Sequence, residues 1–423
     1  MAIELAELES KTVEELQQVA EELNVSDAAS LDKHNLAVRI LQVQGEQEGQ
    51  MVAEGILEIL PEGFGVLRVG MNYATNSPRD IYVAQAQIKR FALKTGDAVL
   101  GLVRPPKEGT PEKLMSLLRV EAINGDSPDV ARTRVHFDDL TPIYPTERLR
   151  METNSKNTSG RFIDIIAPIG MGQRGMIVSP PKAGKTTLLK QIANSVTTNH
   201  EAVVLMVLLI DERPEEVTDI RRSVKGEVVA STFDETPENH LRIQEIVLER
   251  AKRLVERKKD VVILLDSITR LGRASNLTVS PSGRTLSGGL DPSALIRPKR
   301  FFAAARNIEE GGSLTVIATA LVDTGSRMDD MIFEEFKATG NMELVLVRDF
   351  ADRGLFPAID VQRSGTRHQE LLFTKDELQR VWQLRKVLNH LEPAQATELV
   401  LTGLTKYATN KEFLKMVEKE LRA

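Results

Sequence analysis

The rhythm of apolar and polar positions changes three times along the chain. In SKTVEELQQVAEELNV, starting at Ser10, apolar residues recur near the helical period, Ser10 or Thr12 is placed to cap, and acids fill the first turn. This predicts a small helical domain over residues 1–49, closed by the polar run QGEQEGQ. Residues 50–127 hold short strand-like pieces (AEGILEIL, GFGVLRVG, DIYVAQ, DAVLGLVR, KLMSLLRVEAI) separated by Gly, Pro, Asn and Asp, which predict a small antiparallel barrel. Residues 128–160 read as a Pro-bearing connector with a polar hinge near Asn154–Gly160. Over 161–423, apolar runs at 176–178, 202–210, 261–265 and 314–322 alternate with helical stretches, the pattern of a parallel sheet covered on both faces. The chain is thus expected to be multidomain α/β.

Composition narrows the class. The chain has 423 residues, too many for one ordinary core, and its 41% hydrophobic and 27% charged content is that of a globular protein. The longest apolar run, AVVLMVLLI, is about half of what a bilayer span needs, and the amino terminus MAIELAELES is acidic where a secretory signal is basic. No membrane association and no export are expected. The absence of cysteine excludes disulfide and thiolate chemistry and suits a cytoplasmic location. A net charge of -6 argues against a uniformly basic surface, so any nucleic-acid binding must be local.

The candidate chemistry starts at SPPKAGKTT, residues 179–187. A short strand precedes it and a leucine-bearing helix follows, the setting of a phosphate loop, although Ser179 stands where the usual pattern has glycine. The backbone of Pro181, Lys182, Ala183, Gly184, Lys185, Thr186 and Thr187 would cradle the phosphates of ATP at a helix amino terminus. Lys185 would reach the β/γ-phosphates, Thr186 would ligate Mg2+, and Lys182 would add positive charge. Asp266 ends the apolar run of KKDVVILLD; it either holds Mg2+ from a neighbouring parallel strand or starts a helix. Glu212, in VLMVLLIDERPEE, is the candidate base on a strand expected to flank the phosphate strand, unless it only pairs with Arg213. Far downstream, Arg363 and Arg367 lie in a Gly-bearing turn and are candidates for an arginine finger or for solvated surface.

Aromatic residues are scarce, 4% of the chain, so Phe64 and Tyr82 on adjacent predicted strands stand out as a platform for stacked bases, with Arg68 beside them for phosphate. Phe64 as barrel core is the other reading. Residues 86–120 carry seven bases, Arg90 among them, against three acids. The Gly/Ser/Thr-rich stretch 277–294 carries Arg284, and a shorter loop carries Arg327. Each is either a loop that reports nucleotide state to a bound strand or an ordinary surface loop.

The pieces PPKAGKT, VLMVLLIDERPEEVT, KGEVVASTFDE, ILLDSITRL, RPKRFFAAARNIEEGGSLT, EEFKATGNMEL, and FPAID followed by RSGTR resemble the bacterial transcription termination factor Rho family over nearly the whole chain. The resemblance implies a cold-shock-like OB-fold barrel and a RecA-like P-loop motor. It implies a homohexameric ring that hydrolyses ATP, translocates along single-stranded nascent RNA, unwinds RNA–DNA hybrids and acts on the RNA polymerase elongation complex. It carries over Lys185, Thr186, Asp266 and Glu212 in the roles above, Arg367 as a finger acting in trans, and Lys182 and Arg213 as functional positions. It adds Phe356 as the adenine-stacking residue, Glu112 in the barrel's RNA site, Arg284 in the central-channel Q loop and Arg327 in the R loop. The family's second barrel aromatic is Val66 here, and its other stacking tyrosine falls at Leu114. A DNA helicase or recombinase, or a rotary ATPase subunit, shares such a motor.

Overall fold

The computed structural model describes residues 5–422 apart from 24, 26, 27, 29, 30, 32, 48–50, 76, 107–113 and 284. Glu112 and Arg284 therefore lie outside the described residues. The chain divides into two compact units, residues 1–139 with 246–256, and residues 140–245 with 257–423.

The first unit begins with helices Leu5–Ser10, Val13–Glu22 and Lys33–Gln47. Thr12 caps the second of these: its hydroxyl accepts from Glu15 N at 3.2 Å while the Glu15 carboxylate accepts from Thr12 N at 2.7 Å, a reciprocal capping box. Leu8, Leu16, Leu36 and Ile40 are fully buried and share their cluster with Leu100 and Ala122 of the barrel, so helices and barrel bury one apolar layer together. Five strands, Met51–Ile59, Gly65–Arg68, Ile81–Val83, Ala98–Arg104 and Met115–Ile123, close into a barrel and leave no free edge. Every pairing is antiparallel except that of Ile81–Val83 with Met115–Ile123, which is parallel. Gly101 sits at a register shift where a Cβ would meet the Arg119 carbonyl at 2.2 Å, so only glycine fits there.

The second unit is built on a sheet whose parallel strands run in the order 227–232, 204–212, 260–266, 313–321, 174–179, 342–345, with Gly365–Thr366 antiparallel at the edge. Residues 205–210 and 261–265 are buried throughout, as expected for strands covered on both faces. This order corrects two expectations. Neither the Glu212 strand nor the Asp266 strand adjoins the phosphate strand; Ser313–Leu321 lies between, pairing with both 174–179 and 260–266. The strand's own apolar run had no feature that fixed its place in the sheet.

The polar stretch expected as a hinge is instead a fastening. The Asn157 side-chain oxygen Oδ1 caps helix Thr158–Ile166 by accepting from Gly160 N at 3.0 Å, and its Nδ2 donates to Met151 O, Thr153 and Ser195. Beside it the Asp164 carboxylate accepts from Met151 N and Glu152 N at 2.8–3.1 Å. Burial raises its pKa to about 6, with Arg148 and the two amides opposing. Because the folded value exceeds the unfolded one, this group's contribution is fully present below about pH 4 and falls as pH rises toward 6, by up to about 3 kcal/mol. Asp164→Asn is expected to flatten that segment, read as the difference between the urea midpoints of variant and wild type from pH 4 to 7.

Candidate nucleotide and RNA sites

The carboxyl ends of the parallel strands bring the predicted groups together. Strand Arg174–Ser179 delivers the chain to the loop, and helix Lys185–Asn199 leaves it with Gly184 as N-cap at φ +90°. Ser179 adopts no left-handed φ, is fully buried, and its hydroxyl donates to Pro180 O at 2.9 Å. The turn therefore has no need of glycine there; the left-handed positions are Lys182 and Gly184. Pro181, Lys182 and Thr187 are exposed, Ala183 is buried, and Gly184, Lys185 and Thr186 are half-buried.

Lys185 is the hub. Its ammonium lies 2.5 Å from Asp266 Oδ1 and 3.4 Å from Glu212 Oε1. Both carboxylates are almost wholly buried. Asp266 Oδ1 also accepts from the Thr319 hydroxyl at 2.8 Å, whereas Asp266 Oδ2 is buried with no hydrogen-bond partner. Glu212 reaches the site because its strand carries a bulge: register shifts between Ile210 and Glu212, and Asp211 takes φ +57°. Without that extra residue the side chain would point to the other face. Glu212 Oε2 then meets Arg270 at 3.2 Å, and Arg270 also donates to the Asp211 carbonyl. Arg213, expected as the salt-bridge alternative for Glu212, is exposed and offers Glu212 only its backbone N–H at 3.4 Å.

Sequence reasoning missed Arg270, Thr319 and Glu216. Burial and the neighbouring Glu212 raise the Glu216 carboxyl above its ordinary value, Asp266 adding and Lys185 and Arg270 opposing. Arg270 lies in the quoted SITRL piece, but nothing in one sequence distinguishes it from a surface arginine; Thr319 is one polar residue in an apolar run.

A cleft of about 260 Å3 adjoins the loop, lined by Gly184, Thr187, Gln191, Lys156, Thr158 and Phe356 among others. Phe356 is 58% exposed, and a methyl built on Gly184 would lie 3.9 Å from its ring. An exposed phenylalanine beside a phosphate loop offers a flat apolar face to a base.

Arg367 lies at the other end of the sheet. Thr366 pairs with Met342, and Met342 pairs with Gly175, at the start of the phosphate strand, while the loop leaves its end after Ser179. That is roughly 13 Å of strand, with the loop beyond. Arg367 therefore sits at the far end of the phosphate strand from the nucleotide loop of its own chain. Arg363 and Arg367 are exposed, as is Arg327 at the start of helix Arg327–Lys337.

On the barrel, Phe64 and Tyr82 have ring centroids 5.4 Å apart, tilted by 37°. Phe64 is half-buried and Tyr82 is 38% exposed, so the pair presents an aromatic surface to solvent. Val66 pairs directly with Tyr82 on the same face and is buried, and Leu114 is half-buried. Arg68 departs from expectation: it is buried between Glu58 at 2.7 Å and Asp80 at 2.6 Å. Its charge is paired inside the protein with Glu58 of the first barrel strand and with Asp80 just before the third. Arg90 is exposed. Phe64→Ala is expected to weaken binding of a short pyrimidine RNA by about 1–3 kcal/mol in an anisotropy titration, with the melting temperature held. A large fall in melting temperature would return Phe64 to the core.

Three families match the chain in succession: "Rho termination factor, N-terminal domain" at residues 7–49, "Rho termination factor, RNA-binding domain" at 53–129, and "ATP synthase alpha/beta family, nucleotide-binding domain" at 160–366. Transcription termination factor Rho of Bacillus subtilis is 56% identical over 99% of this chain and 97% of its own length. That of Aquifex aeolicus is 54% identical over 97% and 94%. Among solved structures, an ATPase of a bacterial type III secretion system aligns with a TM-score of 0.56 at 22% identity, over 67% of this chain and 87% of that one, a likeness of fold. No described helix is long and apolar enough to cross a membrane.

Proposed function

We propose, from the premise that this chain belongs to the transcription termination factor Rho family, that it works as a ring-shaped motor which hydrolyses ATP to pull on nascent RNA. The family membership makes it an RNA-binding, ATP-dependent termination factor. The finer reading is that six copies form the ring, that the ring translocates along single-stranded RNA and unwinds RNA–DNA hybrids, and that it acts on the polymerase elongation complex in the cytoplasm. In that reading residues 1–49, 50–127, 128–160 and 161–423 serve as helical cap, RNA-loading barrel, connector and motor.

The observation that carries it is Lys185 spanning Asp266 and Glu212 at the carboxyl edge of the sheet. Incoming phosphates would draw the ammonium from these two carboxylates and release each for its own task. Glu212 would accept a proton from the attacking water and hold it in line with the γ-phosphate, steadied by Arg270. Backbone N–H groups at the start of helix Lys185–Asn199 would bind the phosphates, Lys182 would add charge, and Phe356 would stack on the base. The free, buried Asp266 Oδ2 and the Thr186 hydroxyl are hard oxygen donors that fit Mg2+. When bound there, Mg2+ supplies charge neutralisation on the phosphate oxygens. Arg213 flanks the site, and Arg367, remote from its own loop, would serve that of the next copy. Phe64 and Tyr82 would stack bases, Arg90 and Glu112 would contribute to RNA binding, and Arg284 and Arg327 would grip RNA in the channel.

The test is ATP turnover with and without poly-pyrimidine RNA, beside a mass determination of the assembly. Stimulation by RNA but not by single-stranded DNA in a particle of six chains is expected. Turnover indifferent to RNA, or a monomer under turnover conditions, would overturn the motor reading.

A further inference from the structure

The amino edge of the motor sheet gathers three arginines. Arg174 opens the phosphate strand, and its guanidinium is pinned from two sides: Nε donates to Thr339 O at 3.0 Å and Nη1 to Ala305 O at 3.1 Å. Arg306 follows Ala305 directly, opposite Leu314 on the next strand, with its Nε donating to Ala304 O. Arg367 is fixed by its backbone, whose N–H donates to Asn341 O at 2.8 Å. Asn341 ties this to Arg174: its Oδ1 accepts from Arg174 N at 2.9 Å and its N–H donates to Arg174 O at 2.9 Å. Burial and the charges of Arg306 and Arg367 hold the Arg174 guanidinium below its ordinary pKa. Among the described residues neither Arg174 nor Arg367 has a salt bridge. The shallow cleft here is lined by Arg363, Ser364, Thr366 and Arg367, with Glu343 as its acidic residue.

Of these groups only the Arg367 side chain is free to respond to the crowding. Arg174 cannot swing away without leaving two carbonyls unpaired, which is costly at a half-buried position. We propose that Arg174 and Arg306 are positioning residues for Arg367: their fixed charges hold its guanidinium out into the cleft, where it can meet the terminal phosphates of a nucleotide carried by a second copy of this chain. The inference rests on the ring reading above. It goes beyond it in making the finger's geometry depend on two arginines that never touch the chain's own nucleotide.

Arg174→Gln removes the charge while its amide still donates to a carbonyl, and Arg174→Lys restores the charge. In RNA-stimulated assemblies Arg174→Gln is expected to lower kcat for ATP about tenfold with KM little changed, and Arg174→Lys to recover most of it. Arg306→Gln, in case the first variant folds poorly, should lower kcat about threefold. When Arg174→Gln is combined with Lys185→Ala in one chain and mixed with wild type, the loss must appear in the wild-type subunits' sites. An unchanged kcat in a folded, fully assembled Arg174→Gln protein overturns the proposal, and so does failure of lysine to rescue. If Arg367→Ala also leaves turnover intact, the finger reading itself falls; if Arg367→Ala abolishes turnover while Arg174→Gln does nothing, only the role of Arg174 is lost.

Discussion

Glu212→Ala is expected to reduce ATP turnover by about a thousandfold while leaving nucleotide affinity within a few-fold of wild type. In the proposed reading phosphate binding falls to the loop backbone and Lys185, which the substitution leaves in place with Asp266 as its remaining partner. The lost group is, in that reading, the base that takes a proton from water, and its two contacts, Lys185 and Arg270, are both cations that cannot replace it. Glu212→Gln separates base from scaffold: the amide retains the size and one acceptor, so an equal loss assigns the effect to the carboxylate, and a much smaller one to packing. Steady-state turnover and a direct nucleotide titration decide it. Turnover within tenfold of wild type in both variants removes Glu212 from the chemistry.

Arg367→Ala should cost still more, on the order of 10^3 to 10^5 in kcat, the range for a finger that meets charge developing in the transition state. The sheet geometry makes a sharper prediction about mixtures. Because Thr366 pairs across Met342 to the start of the phosphate strand, the arginine is remote from the loop of its own chain. In the finger reading a mutant subunit should therefore disable its neighbour's site and keep its own. If firing is coupled around the ring, doping wild type with a minority of Arg367→Ala chains should depress turnover more than in proportion to the mutant fraction. Strict proportionality, with exchange of subunits verified by mass, would deny coupling. Normal turnover by the pure mutant would deny the finger.

Much of this was legible because it is local. The phosphate loop, the run ending in Asp266 and the acid pair Asp211 and Glu212 are each written within a few residues, Phe64 and Tyr82 stand on successive strand-like pieces, and periodicity places each at a strand end or a strand face. What was hidden depends on distant parts of the chain. Strand order put Ser313–Leu321 between the phosphate strand and the carboxylate strands, which no single stretch encodes. Arg68 looked like a phosphate contact until Glu58 and Asp80, ten and twelve residues away, were found on either side of it. The bulge at Asp211 decides which way Glu212 faces, yet an acid in a left-handed conformation has no reliable sequence mark. Asn154–Gly160 has the composition of a flexible joint, and only the contacts of Asn157 reveal a cap.

The location of Arg367 has an arithmetical outcome for any head-to-tail circle of these chains. If Arg367 serves the next copy as proposed, each working centre is shared property, half from one copy and half from the next, so n copies own n centres when the circle is complete and n − 1 when it gapes. Specific turnover per chain then becomes a gauge of closure. A polymer that seals the gap switches on a centre without touching any group that performs its chemistry.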